Sequence, residues 1–130
     1  MNSASFLANI IGVLSLIALI AVIYPSLVDV FKINLKYKQE ILKISQIGLL
    51  LTTTLGLIHG LLMTQGGNVD FYDLNTYWVY LGGVFLFNLV VFLAFSFSQL
   101  KSDIKRLNYF NYAILFLLVC HIGQKLMFQI

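Results

Sequence analysis

Four apolar runs succeed one another along this chain, broken only by short polar stretches: Phe6–Val30, Ile44–Thr64, Tyr77–Phe97 and Tyr109–Phe128. A hydrocarbon core of about 30 Å is crossed by about 20 helical residues, so each run is long enough to span one. Lipid offers no water to satisfy a free amide, and the helix pairs every backbone group within its own segment. Of the 130 residues, 60% are hydrophobic and 10% charged, whereas an ordinary globular domain is about a quarter charged. Four spans and three short loops use up that length. The expected fold is therefore all-α, a four-transmembrane-helix bundle forming a single membrane domain over residues 1–130, in contact with membrane lipid.

The charges sort by loop. The first loop holds Lys32, Lys36, Lys38 and Lys43 against Glu40, with Asp29 at its edge. The third holds Lys101, Lys105 and Arg106 against Asp103, and the second, Gln65–Thr76, has Asp70 and Asp73 but no basic residue. Seven of the eight Lys and Arg thus fall on one side. The positive-inside rule puts that side in the cytoplasm, or in the stroma of a thylakoid, and both termini on the non-cytoplasmic side. A bacterial inner membrane or a thylakoid membrane is the expected location. The net charge of +3 belongs to this topology and does not call for nucleic acid.

Other features fit the same frame. Gly66-Gly67 and the Asn/Asp content of the second loop mark a turn-rich connector. Tyr72, Tyr77, Trp78 and Tyr80 resemble an interfacial aromatic belt, and Tyr109 and Tyr112 occupy the other boundary. Pro25 lies near a helix end, where a kink is tolerated. Met1–Ser5 has no basic residue and the first run is too long for a signal-peptide core, so a retained helix is expected. The single cysteine, Cys120, excludes an intrachain disulfide and a CxxC pair. No internal repeat is visible.

The two histidines both lie inside apolar runs. His59 comes 16 residues after Lys43, and His121 comes 15 after Arg106, each counted from the last charge before its run. The second and fourth segments run in the same direction. At ~1.5 Å rise per residue the two imidazoles share one depth. Two imidazoles facing each other at one level of an apolar bundle are what a b-type haem needs as axial ligands. A structural hydrogen bond to a neighbouring helix, or a quinone, pigment or metal site, would use the same residues.

Glycines occupy the same layer. Gly56 and Gly60 flank His59, Gly123 follows His121, and counting depth brings Gly12 and Gly82-Gly83 to the same level on the first and third helices. Missing side chains let a flat group approach the backbone. Glycine also serves plain helix packing, and Gly48, Thr52, Gly56 and Gly60 form a small-residue row at i, i+4 spacing. Lys125, four residues after His121, shares its face one turn nearer the outer surface. It can pair with the propionates of an outward-pointing haem or snorkel to water. Gln124 and Gln65 are polar alternatives at the rim. Thr52, Thr53, Thr54 and Asn88 are candidates for bonds across the bundle, and Phe85, Phe116 and Leu117 for the walls of a porphyrin site. A bare metal ion would have too few ligands in two histidines, and no nucleophile–base set or phosphate loop can be assembled.

The stretches Gly-Leu-Ile-His-Gly-Leu-Leu (Gly56–Leu62) and Cys-His-Ile-Gly-Gln-Lys (Cys120–Lys125), on the second and fourth helices, carry a family resemblance. The chain resembles the compact four-helix membrane proteins of cyanobacteria and plastids grouped with ferric-reductase-like b-type cytochromes. That resemblance implies His59 and His121 as the axial ligands of one haem b. Larger ferric reductases carry two histidines on each ligand helix; one on each here leaves room for a single haem, near the outer face. Respiratory membrane anchors with a single haem are a second similarity. The expected function is that of a haem-binding electron-transfer subunit, a component of a membrane oxidoreductase without its own flavin or nicotinamide domain. Its cofactor contacts would be His59, His121, Gly12, Gly56, Gly60, Gly82, Gly83 and Lys125. Its electron partner would be another protein, a larger membrane complex or a quinone. The alternative is a non-catalytic subunit or assembly factor of a respiratory or photosynthetic complex. A transporter, which needs a polar stripe through the bilayer, ranks last.

Overall fold

The computed structural model describes residues 3–30, 38–65 and 73–127, and these form four helices: α1 (Ser3–Val30), α2 (Lys38–Gln65), α3 (Leu74–Leu100) and α4 (Ile104–Met127). Lys32, Lys36, Gly66, Gly67, Asp70, Tyr72 and Phe128 lie outside the described residues. All four helices are long and apolar enough to cross a membrane. Each extends beyond its apolar run. Lys43 and Glu40 ride on α2, and Lys105 and Arg106 on the first turn of α4, where the sequence pattern predicts loops.

Local capping chemistry explains the longer helices. Asp73 caps α3: its carboxylate accepts the Asn75 amide at 3.2 Å and the Thr76 hydroxyl at 3.0 Å. The third connection shrinks to Lys101–Asp103. The Lys101 amide still reaches Phe97 O (2.8 Å), Asp103 N–H bonds Leu100 O (2.9 Å), and Asp103 O accepts from Leu107 (3.0 Å). Asp103 therefore ends one helix turn and opens the next, with its carboxylate toward Arg106 of the new first turn (3.3 Å). An acid at a helix start satisfies free amides and complements the helix dipole.

The helices pack as an antiparallel square. Neighbours are α1–α2, α2–α3, α3–α4 and α4–α1, with no close approach across either diagonal among the described residues. The closest pair is α1–α2. There a Cβ on Gly48 would stand 2.9 Å from Ala18 O and 3.2 Å from Val22 Cγ2. One turn away the Ser45 hydroxyl donates to Val22 O at 2.8 Å. Across α4–α1, Ser26 Oγ donates to Asn108 Oδ1 and accepts from Asn111 Nδ2, both at 2.7 Å.

Interior and exterior are both apolar. Between 11% and 28% of each span's most apolar window is buried, so most of the greasy surface points outward, as Phe85, Phe95, Phe116 and Val119 do. A water-soluble bundle would carry a polar outer face. The core is one cluster drawn from all four helices, including Val22, Leu49, Leu93, Phe97, Leu107 and Ile114. It lies toward the end at Val30, Lys38, Leu100 and Ile104. The end at Phe6, Gln65, Leu74 and Met127 is hollow.

Gly48→Val should therefore loosen α1 from α2. Overpacking typically costs about 1–3 kcal/mol, and a lowered unfolding midpoint in detergent, without loss of helical circular dichroism before melting, is the expected result.

Candidate functional site

The hollow end is a cavity of about 540 Å³ lined by all four helices, and both histidines face it. Small-molecule sites run from about 300 to 1,000 Å³. The cavity extends from a rim at Asn9, Thr64, Thr76 and Lys125 to a floor at Leu19, Thr52, Val90 and Leu118. The floor abuts the packed core, so the solid half supports the open one.

Each histidine is seated on the helix before its own, and the two seats are built alike. The ring of His59 lies against Gly12 of α1. A Cβ there would be 2.9 Å from Cε1 and 3.0 Å from Nδ1. The ring of His121 lies against Gly83 of α3, where a Cβ would be 3.0 Å from Cε1 and 3.5 Å from Nδ1 and Nε2. Four residues before Gly12 is Ala8, whose carbonyl oxygen the His59 ring reaches; four before Gly83 is Val79, whose carbonyl makes no hydrogen bond to His121 Nδ1. The spacing has a physical reason. A helical carbonyl points along the axis toward residue i+4, whose Cβ leans back over the preceding turn. Glycine at i+4 removes that cover and exposes the carbonyl's second lone pair to an incoming donor. The two hairpins α1–α2 and α3–α4 thus repeat the glycine seat, and only the first completes it with a carbonyl hydrogen bond.

The His59 seat fixes the ring chemically. Nδ1 lies 2.7 Å from Ala8 O, and a carbonyl can only accept, so Nδ1 carries the proton. Nε2 then holds the free lone pair. This is the tautomer and the backbone partner that metal-ligating histidines commonly show. His121 differs. Its Nδ1 is buried and completes no hydrogen bond, as does the Oε1 of nearby Gln124.

The remaining predicted residues divide. Gly56 and Gly60 line the cavity. Phe87 is 3.3 Å from a Cβ placed on Gly56, while nothing stands within 4 Å of one on Gly60. The i, i+4 row on α2 therefore splits into Gly48, which packs helices, and Thr52, Gly56 and Gly60, which face the cavity. Gly82 is off the cavity, its space occupied by the Gln124 amide at 2.9 Å. Gly123 is exposed beside open space. Lys125 lines the rim and donates to Asn9 Oδ1 at 2.9 Å, leaving two ammonium protons for other acceptors.

Some expected wall and bridging residues point elsewhere. Phe85 and Phe116 are 62% and 68% exposed, and Leu117 does not line the cavity; Phe87 and Leu118 do. Thr53 and Thr54 bond back to Leu49 O and Leu50 O on their own helix, and Asn88 is exposed. None of them bridges helices, because a threonine hydroxyl reaches the i−4 carbonyl more readily than a neighbouring helix. Asn9, Ala8, Val79 and Phe87 escape sequence reasoning. A carbonyl carries no residue signature, and the only available signal is the glycine four positions on from Ala8 and Val79.

Among the described residues no three His, Cys, Asp or Glu side chains cluster. The chain matches no family model, no curated protein and no solved structure. The functional reading therefore stands on the geometry of the cavity.

The seats make a discriminating prediction. Gly12→Ala drives a methyl into the His59 ring and should cost about 1–3 kcal/mol, whereas Gly60→Ala meets open space and should change stability by less than about 0.5 kcal/mol. Thermal unfolding of the two variants in detergent, side by side, measures the difference; equal effects would contradict the seat.

Proposed function

We propose that the protein is a b-type haem-binding membrane protein that relays electrons, holding one haem between His59 and His121. The observation that carries this reading is that both imidazoles, from helices on opposite corners of the square, line one cavity. His59 Nδ1 is committed to Ala8 O, so that Nε2 is free to ligate. A haem would bring its own four nitrogens, so His59 and His121 would suffice to hold it without a third metal-binding side chain. Gly12 and Gly83 hold the rings, Gly56 and Gly60 keep the wall low, and Phe87 and Leu118 supply apolar contact.

When bound, the haem would accept and release single electrons; the chain's own residues would set where and how easily. Burial among apolar side chains and the backbone partner of the ligand imidazole tune the potential. Lys125, tied to Asn9, offers charge to propionates at the rim. One haem near one end does not make a complete path across the membrane. A second protein or a quinol would supply or take the electron. The loop charges favour both termini, and therefore the haem, on the non-cytoplasmic side of a bacterial inner membrane or a thylakoid. The whole chain acts as one membrane domain in this reading.

A second reading is a non-catalytic subunit or assembly factor of a larger complex. The broad apolar exterior supports it, since such a surface packs against other membrane helices as well as lipid. Migration only as a free monomer on native gels of solubilised membranes would count against it.

The purified protein should show a reduced-minus-oxidised difference spectrum of a bis-histidine b-type haem. His59→Ala and His121→Ala should each lose that band or convert it to a high-spin form. Lys125→Ala should retain it with weaker haem retention. A wild-type protein with no haem band after expression with haem supply would refute the redox reading.

A further inference from the structure

Four buried side-chain atoms are without a hydrogen-bond partner among the described residues: Thr52 Oγ1, Asn111 Oδ1, His121 Nδ1 and Gln124 Oε1. The first two stand apart, at the cavity floor and in the α1–α4 clasp. The last two are neighbours. The point where Gly82 would carry a Cβ lies 2.9 Å from Gln124 Oε1 and 3.8 Å from His121 Nδ1. Gln124 is three residues after His121 on α4, so helical spacing puts both on one face. A buried acceptor and a buried donor left unpaired side by side are each costly, and one hydrogen bond would satisfy both.

We propose that Gln124 is the positioning residue of His121. With a turn of the amide its Oε1 accepts the Nδ1–H, which leaves the Nε2 lone pair free. Neither the Val79 carbonyl nor Gln124 Oε1 meets His121 Nδ1 in hydrogen-bond geometry in the structure, but the carbonyl already serves the α3 helix ladder and is fixed by it, whereas the amide can turn. The amide oxygen of Gln124 has both lone pairs unspent.

This pairing explains the adjacent glycines of α3. Gly83 clears space for the imidazole, and Gly82 clears space for the amide that holds it. It also makes the two histidines unequal. His59 is held by a backbone carbonyl, which cannot move without moving α1. His121 is held by a side chain that can turn, and whose chemistry can vary. Insofar as His121 ligates a haem, an assignment that rests on the reading above, Gln124 tunes the basicity of one axial ligand and leaves the other alone.

The tautomer of each histidine reads the pairing directly, without any cofactor. Full-length protein labelled with ¹⁵N-histidine, in detergent and without haem, should show both imidazoles protonated at Nδ1. In Gln124→Leu, His121 alone should shift toward the Nε2-protonated form by about fivefold or more, the worth of one net hydrogen bond. Gln124→Glu, which keeps an acceptor, should preserve the wild-type tautomer. The unchanged His59 signal reports that the bundle is intact; Gln124→Met serves in place of the leucine variant if that signal is lost. An Nε2-protonated His121 in wild type, or an Nδ1-protonated His121 that persists in the folded apolar variant, overturns the proposal. The second outcome would assign the role to Val79 O. Failure of the wild-type protein to bind haem is read separately from the absorption spectrum. It would remove the redox reading while leaving the tautomer result to judge Gln124.

Discussion

A helix in lipid has spent its backbone amides on its own carbonyls, so what remains to hold a buried polar side chain is the second lone pair of those carbonyls. Several of the polar side chains in this bundle use it. Thr53, Thr54 and Thr64 bond back onto α2 itself, Ser45 reaches across to Val22 O, and His59 reaches across to Ala8 O. The cross-helix cases need the carbonyl uncovered and the helices close. Gly48 provides the closeness for Ser45, and Gly12 provides the opening for His59. At these two points a glycine lets one helix grip a polar group of another.

The same constraint divides the bundle in depth. Toward the α1–α2 and α3–α4 connections, small and apolar residues close the interior around Leu93, Phe97 and Ile114. Toward the other end the glycines that seat the histidines also leave volume unfilled, and a cavity opens between the diagonal helices. A hollow of that size weakens packing around it. The solid half, the Ser26–Asn108–Asn111 clasp and the Asp73 and Asp103 caps compensate. The arrangement gives up packing at one level and presents two imidazoles there.

Much of this was legible from residue order. Hydropathy marked four spans, and the spacing of His59 and His121 from their last charges put them at one depth. Counting from helix ends brought Gly12 and Gly83 to that depth, and the rings do rest on them. Depth is readable because rise per residue is constant. Azimuth is not, since it depends on how each helix turns toward its neighbours. That is why Phe85, Phe116 and Asn88 face outward, and why Gly82 meets Gln124 instead of the cavity. Helix ends were misjudged for a different reason: the caps at Asp73 and Asp103 carry helix into polar sequence that hydropathy assigns to loops.

By itself the sequence determined the helical fold, the number of apolar segments and the relative depth of the histidines and their glycines, because lipid length and backbone satisfaction leave no other solution. Only the tertiary structure decided which helices sit on the diagonal, and that both histidines share one cavity. It also decided that His59 is held by a carbonyl of Ala8. Those facts follow from rotation and close approach between segments far apart in the chain. The Ala8 oxygen acquires its role because Gly12, four residues on, leaves it uncovered and a donor from another helix arrives.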